Sequence, residues 1–157
     1  MINYPEKFLM ENTETFKFLS KIYDIGFVRV MSAAILETGW GRYVPGNNMF
    51  GIKGNDVLLT TKEFLNGEKK QIKDKFANFQ TPEESIIDYL QLICRSRRYQ
   101  KVYQARFQKP SEYFRKIQDC GYATDPDYSK KLTDIYYSVI ERLISMKRLS
   151  EIDSDNV

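Results

Sequence analysis

The length, composition and charge of the chain indicate its broad class and exclude several kinds of catalysis. Its 157 residues suit one domain with a sizeable core, and 42% hydrophobic with 29% charged residues is ordinary for a globular protein. The net charge of +3 is compatible with a mixed surface or with an anionic polymer as partner. Because the sequence has no histidine, it excludes Ser-His-Asp and Cys-His catalysis, histidine-ligated zinc and HExxH metalloprotease sites.

Cysteine and basic residues add little further chemistry. Cys94 and Cys120 are too few and too far apart for a zinc knuckle, so we interpret them as buried free thiols, and spacing alone does not decide whether they pair. The densest basic cluster, formed by Arg95, Arg97 and Arg98, indicates a helix end more than a nucleic-acid surface. No stretch reaches the roughly twenty apolar residues of a membrane span, and the N-terminus lacks the pattern of a signal peptide.

Apolar spacing predicts helices in the first third of the chain, followed by a loop. Residues 5–23 carry apolar side chains at helical spacing, as one helix or as two short helices around Asn12. Residues 27–38, FVRVMSAAILET, are strongly apolar and end at Gly39, which predicts a buried central helix. Residues 40–54, rich in glycine and asparagine, predict an irregular loop.

The rest of the chain predicts one hairpin and then helices. Alternating residues at 57–64 and 69–79 flank Asn66-Gly67, the strongest short-range hairpin signal. Thr81 and Pro82 open a helix as cap and first-turn residue. Further helices are predicted at 99–107, at 110–119 and from 127 to about 149, with a loop at 121–126. We predict a single domain over residues 1–150 and a frayed polar tail at 151–157.

Glu37 is an ionisable residue in the last turn of the most apolar predicted helix. Burying a carboxylate is unfavourable unless it stays protonated or gains partners, so desolvation would raise its pKa. The negative end of the helix dipole acts in the same direction. A general acid needs such a pKa near neutral pH, and the adjoining glycine-rich loop could border a cleft. The alternatives are a surface glutamate or a buried ion-pair partner.

Residues 33–54, AAILETGWGRYVPGNNMFGIKG, resemble the signature of glycoside hydrolase family 73. Further matches lie downstream: TKEF at 61–64 ahead of the Asn-Gly turn, Phe-x-x-Phe at 76–79, the helix start Pro-Glu-Glu-Ser at 82–85, and GYATDPDY at 121–128. Their order and spacing hold from about residue 5 to 146. The resemblance implies an α+β, mainly α, lysozyme-like fold, in which a helical bundle and one β-hairpin lobe enclose a cleft. It also implies an endo-β-N-acetylglucosaminidase that cleaves the β-1,4 bond between N-acetylglucosamine and N-acetylmuramic acid in peptidoglycan.

By this resemblance, Glu37 is the general acid that protonates the glycosidic oxygen. Glu63, on the predicted hairpin, matches the proposed second carboxylate and could activate water, with a wide carboxylate separation implying inversion; otherwise it is an exposed strand residue. In a competing mechanism the N-acetyl group of the substrate is the nucleophile and Tyr122 orients it; otherwise Tyr122 is a core residue that pins its loop. The sequence leaves both mechanisms open.

Five further matched positions are candidate substrate-binding residues. Trp40 could wall the pocket of the acid or anchor the helix end. Asn48 could hydrogen-bond glycan or brace the loop. Phe50 also fits a loop core, and Lys53 could balance charge near the acid or contact sugar. Asp125, which precedes a proline, could cap the last helix or join the site.

Carboxylates and water suffice for glycosyl hydrolysis, so we expect no metal and no other cofactor. The expected partner is the peptidoglycan glycan strand, with no nucleic acid, no membrane insertion and a monomeric enzyme. We expect action in the bacterial cell wall or periplasm, either as a phage or prophage lysin released by a holin or as a domain of a longer secreted protein. Alternatives are a muramidase or lytic transglycosylase, or a non-catalytic glycan-binding or structural module of a phage tail or flagellar rod.

Overall fold

Helices and one two-stranded antiparallel sheet make up the structure, a computed structural model that describes residues 1 and 3–155, with side chains as far as residue 148. The elements in chain order are α1 (Tyr4–Ile22), α2 (Phe27–Thr38), β1 (Lys53–Leu65), β2 (Glu68–Phe76), α3 (Pro82–Arg95), α4 (Gln100–Gln104), α5 (Pro110–Asp119) and α6 (Tyr128–Asp155). Short 3-10 turns lie at Pro45–Asn47 and Arg97–Tyr99. The predicted mainly helical chain with one hairpin is confirmed.

The first two helices begin and end for local reasons. The Asn3 side chain accepts a hydrogen bond from the Glu6 amide at 3.0 Å and so caps α1. The helix continues through Asn12, whose side chain donates to the Phe8 carbonyl at 2.9 Å, so residues 5–23 form one helix instead of two. Helix α2 has the predicted bounds and ends at Gly39, which adopts the left-handed conformation with φ 58°.

The hairpin turns where predicted but has different strand ends. Asn66 and Gly67 both have positive φ, 53° and 78°, as a type I′ turn requires. Strand β1 begins at Lys53, before an irregularity in the pairing, so it is longer than predicted. Strand β2 ends at Phe76, short of the predicted 79, because the following backbone turns to the glycine-rich loop: the amide of Phe79 donates to the carbonyl of Gly46 at 2.8 Å.

The later helices depart from the sequence prediction at their ends. The predicted helix at 99–107 is only Gln100–Gln104, preceded by a 3-10 turn. Helix α6 reaches Asp155, past the predicted end near 149, because no proline or glycine follows to stop it. The backbone of most of the predicted frayed tail is therefore helical, and residues 156–157 of that tail lie outside the described residues.

Helix α2 lies at the centre of the core and packs against α1 and α6. Its residues Val30, Met31 and Ala34 are fully buried, which confirms the predicted central helix. In the described part of the chain, no helix is long and apolar enough to cross a lipid bilayer. Cys94 and Cys120 are both free and half-buried.

Candidate active site

A cleft of about 550 Å³ separates the helical lobe from the hairpin. The end of α2, the glycine-rich loop, the inner side of the hairpin and the loop before α6 line it. The structure brings six of the predicted residues together on its walls: Glu37, Phe50, Lys53, Glu63, Tyr122 and Asp125. A smaller recess of about 110 Å³ also borders Glu37 and extends the groove towards the base of the hairpin.

The backbone around the cleft is shaped to approach Glu37 closely. Glu37 is in the last turn of α2, which ends at Gly39. The chain returns past the carboxyl at Gly51, which has φ +62°, a conformation that favours glycine. A Cβ atom on residue 51 would lie 3.1 Å from the Glu37 Oε2 atom. The glycine therefore lets the loop backbone form one wall of the acid's surroundings.

The Glu37 side chain is exposed to the cleft, yet protein surrounds its carboxyl on the other sides. This desolvation is the largest cause of a pKa raised from 4.5 to about 7. A hydrogen bond from Tyr128 lowers the pKa, the negative charge of Glu63 raises it, and Lys53 lowers it. The carboxyl is thus poised between its protonated and ionised forms at neutral pH.

Tyr128 is a residue of the cleft to which the sequence analysis gave no role of its own. It is buried at the first residue of α6, and its hydroxyl donates to Glu37 Oε1 at 3.3 Å. The two residues are 91 positions apart in the chain, so helical periodicity could not pair them. The available signal was its place at the end of the GYATDPDY motif.

Lys53 connects the carboxylates of the hairpin. Its Nζ atom lies 2.6 Å from Asp74 Oδ2 and 3.6 Å from Glu63 Oε1. It also lies over the Phe76 ring, 4.3 Å from the centroid. The hydrogen bond from Lys53 lowers the pKa of Asp74. These contacts support the charge-balancing role among the alternatives for Lys53, at a position that also faces the cleft.

Tyr122 both lines the cleft and pins the loop across it. Its hydroxyl donates to the Phe50 carbonyl at 2.6 Å, and its ring lies near that of Tyr128, with centroids 6.0 Å apart and 25° between planes. Burial raises the pKa of Tyr122 well above its usual 10, so the phenol stays neutral. Its proton is directed at the loop carbonyl in this structure.

Asp125 lies on the cleft wall and caps the turn that leads into α6. One carboxylate oxygen accepts from the Asp127 amide at 2.9 Å, the other pairs with Lys131, and the Asp125 carbonyl accepts from the Tyr128 amide at 3.1 Å. Burial would raise its pKa, but the hydrogen bonds from Lys131 and from the Asp127 amide hold it below the usual value. The capping role therefore occupies both oxygens.

Trp40 lies outside this cleft. Its ring meets Phe8 edge to face, with centroids 6.2 Å apart, and Arg142 lies 5.6 Å from its centroid. It borders a separate pocket of about 320 Å³ beside α1. Packing against Phe8 supports the alternative in which Trp40 anchors the end of α2.

Asn48 and Phe50 hold the loop from within and lie at the edge of the cleft and of its smaller recess. The Asn48 carbonyl oxygen accepts from the amides of Phe50 and Ile52, and its amide group donates to the carbonyls of Ile52 and Ala77. Phe50 is fully buried and stacks on Tyr89, with centroids 4.1 Å apart. These contacts support the loop-bracing alternative for Asn48 and the loop-core alternative for Phe50.

Among the residues that the structure describes, no group of three or more His, Cys, Asp or Glu side chains is arranged to hold a metal ion. The titratable groups on the cleft walls are three carboxyl groups, three lysines and two tyrosines: Glu37, Glu63 and Asp125, Lys53, Lys62 and Lys69, and Tyr122 and Tyr128.

Comparison with known proteins gives the family of this chain. Residues 13–141 match the glucosaminidase family described as mannosyl-glycoprotein endo-beta-N-acetylglucosaminidase. The chain belongs to the glucosaminidase family. This confirms the resemblance to glycoside hydrolase family 73, and the domain is a glycoside hydrolase. The matched region contains Glu37, Glu63 and Tyr122.

Several relatives of this glucosaminidase domain are known. Peptidoglycan hydrolase FlgJ of Salmonella typhimurium is 34% identical over 142 residues, 82% of this chain and 43% of that protein. Exo-glucosaminidase LytG of Bacillus subtilis is 38% identical over 117 residues, 67% of this chain and 41% of that protein. The chain thus spans less than half the length of these curated relatives.

Solved structures show the same fold. A crystal structure of a peptidoglycan hydrolase mutant from Sphingomonas sp. A1 matches with a TM-score of 0.77 and 28% identity, covering 88% of this chain and 98% of the other. The glycoside hydrolase domain of Salmonella typhimurium FlgJ matches with a TM-score of 0.74 and 24% identity, covering 99% and 100%. The predicted lysozyme-like fold is confirmed.

Proposed function

We propose that this glucosaminidase domain hydrolyses the β-1,4 bond between N-acetylglucosamine and N-acetylmuramic acid in bacterial peptidoglycan. The observation that carries the proposal is the Glu37 carboxyl, with a pKa of about 7, in an open cleft between two lobes. Relatives named as peptidoglycan hydrolases and as a glucosaminidase support the choice of polymer and of bond.

In the proposed reaction, protonated Glu37 gives its proton to the glycosidic oxygen while the bond from that oxygen to the anomeric carbon breaks. The Tyr128 hydroxyl then stabilises the resulting Glu37 carboxylate by hydrogen bonding. On the hairpin wall, Glu63 accepts a proton from the attacking water, whose oxygen forms the new bond to the anomeric carbon. Lys53, between the hairpin carboxylates, offsets part of the negative charge that accumulates.

The substrate-assisted alternative assigns the nucleophile to the N-acetyl group and the orienting contact to Tyr122. The Tyr122 hydroxyl donates to the Phe50 carbonyl, so it would have to leave this partner to orient the substrate. Losing this hydrogen bond is unfavourable, which favours the mechanism with Glu63 as the base. Glu63→Gln separates the two mechanisms, because it should lower kcat to a small residual rate only where Glu63 activates water.

We also propose where the domain works and in which state. Its polymer lies in the cell wall or periplasm, so the enzyme acts there, as a released lysin or as part of a longer secreted protein. We propose a monomer that binds glycan strands, without nucleic acid or membrane insertion. Sedimentation of the purified domain tests this: a stable dimer would contradict it.

The decisive experiment is digestion of purified cell walls by the parent and by Glu37→Gln. The variant keeps the side-chain shape but has no proton to donate, so lytic activity should fall roughly 10²- to 10⁴-fold with the fold retained by circular dichroism. Glu83→Gln, at an exposed first-turn position of α3, is the matched control and should stay active. Lysis by Glu37→Gln at the parental rate would reject Glu37 as the acid.

The products of the same digest identify the bond. Mass spectrometry should find new reducing ends on N-acetylglucosamine. Reducing N-acetylmuramic acid would indicate a muramidase, and anhydro-muramic ends would indicate a lytic transglycosylase. Intact strands would indicate a non-catalytic binding module.

A further inference from the structure

The hairpin reaches the helical lobe through one threonine hydroxyl. Thr124, in the loop before α6, accepts from the Phe64 amide through its Oγ1 atom at 2.9 Å. The same hydroxyl donates to the Glu63 carboxylate. In the part of the chain that the structure describes, these are the hydrogen bonds that join strand residues 57–73 to anything outside the hairpin.

Core packing does not fix the position of the hairpin. Every residue of β1 and β2 is described, and each is exposed or half-buried. A two-stranded hairpin is marginal on its own, so its orientation depends on the contacts that it makes with the rest of the protein. Thr124 supplies such a contact near the turn of the hairpin, at Phe64 and Glu63, which form the second and third pairs from that turn.

The loop that carries Thr124 is itself held at both ends. Arg98 donates to the carbonyls of Cys120 and Gly121, each at 2.8 Å. At the other end the side-chain amide of Gln118 donates through Nε2 to the Pro126 carbonyl at 3.0 Å. Thr124 is therefore presented from an anchored loop to a hairpin with few other constraints.

We propose that Thr124 is a positioning residue for Glu63. Its hydroxyl accepts from the strand backbone and donates to the neighbouring carboxylate, which fixes both the height of the hairpin over the cleft and the direction of the carboxyl. The other carboxylate oxygen faces Lys53 at 3.6 Å. This inference rests on the proposed function, in which Glu63 activates water. In the scheme Thr124 transfers no proton and contacts neither the substrate nor the attacking water, so it acts through Glu63.

The test compares Thr124→Val with Thr124→Ser in turnover of a solubilised glycan strand. Valine keeps the shape but neither accepts nor donates, and we expect kcat to fall roughly 10- to 100-fold, as for a misplaced catalytic group, with KM within about twofold. Serine keeps the hydroxyl and should restore most of kcat. Thr133→Val is the matched control, because the Thr133 hydroxyl bonds only within α6, to the Ser129 carbonyl at 2.8 Å, and it should match the parent.

A double variant shows whether Thr124 acts through Glu63. In a Glu63→Gln background, Thr124→Val should cause no further loss of kcat, because the group that it aligns is already absent. A full additional loss would overturn the inference, as would parental kcat in Thr124→Val. If the valine variant does not fold, Thr124→Ala takes its place with the same expected outcomes.

The two proposals fail in different ways. Parental activity of Thr124→Val together with an inactive Glu37→Gln would reject the positioning role and leave the acid in place. An active Glu37→Gln would reject the proposed mechanism itself. Parental kcat in Glu63→Gln would show that Glu63 is not the catalytic base. The inference that Thr124 positions this base would then be overturned.

Discussion

Opposing influences set the pKa of Glu37 near the pH at which a general acid works best. Desolvation raises it and the hydrogen bond from Tyr128 lowers it, so the acid form is available without the proton being held too tightly. The charge of Glu63 raises the pKa of Glu37, and the charge of Lys53 lowers it. The balance explains why a single buried tyrosine can tune the chemistry of a residue 91 positions away.

Tyr128→Phe should move the alkaline limb of the pH–rate profile to higher pH. The change removes the hydrogen bond that favours the carboxylate, so the Glu37 pKa should rise above about 7. Activity requires protonated Glu37 and is lost as pH rises through this pKa, so the limb follows it upwards. The measurement is kcat/KM against pH, with Tyr137→Phe at an exposed position of α6 as control. An unmoved or lower limb would contradict the assignment.

The loop between α2 and β1 is ordered by side-chain bonding instead of regular structure. Asn48 is 5% exposed and bonds to the backbone of Phe50, Ile52 and Ala77. Gly51 adds the left-handed conformation that brings the backbone beside Glu37. The irregular part of this loop thus forms a wall of the cleft, because one asparagine bonds to its backbone groups.

Asn48→Ala should therefore destabilise the protein by about 3 kcal/mol, because it leaves backbone groups around the loop without partners. The free energy of unfolding in urea measures the change. Asn55→Ala, at an exposed position of β1, is the control and should stay within about 0.5 kcal/mol of the parent. A loss at residue 48 no larger than at residue 55 would show that the loop is held by other contacts.

At the scale of the whole molecule, ionised Glu37 lowers the stability of the folded state. The helical lobe has a continuous core, yet it presents Glu37 in surroundings that favour the protonated form. The folded state holds this proton more tightly than the unfolded chain does. The contribution of Glu37 to stability is therefore fully present below pH 4.5, falls as pH rises, and is lost above about pH 7.

Glu37→Gln should consequently gain stability relative to the parent as pH rises. Glutamine has no charge to desolvate, so the difference in Tm between variant and parent should be more positive at pH 8 than at pH 4. Thermal unfolding at the two pH values measures it, and taking the difference removes the titration of the other groups. A difference that does not change with pH would show that the folded state leaves the pKa of Glu37 near 4.5.

The sequence by itself determined the features that depend on neighbouring residues. Helix α2 has its predicted bounds because apolar periodicity and Gly39 are local signals, and the Asn66-Gly67 turn follows from its preference for positive φ. Glu37 was found because its position at the end of an apolar helix is itself a local feature. The family signature around it, also a continuous stretch, was confirmed.

Only the tertiary structure decided which side chains meet. It placed Trp40 against Phe8 outside the cleft and directed the side chain of Asn48 into its own loop. It also brought Tyr128 to Glu37, and Thr124 to a carboxylate 61 positions earlier. Such pairings depend on how helices and hairpin pack in three dimensions, whereas periodicity and turn chemistry report only on residues a few positions apart.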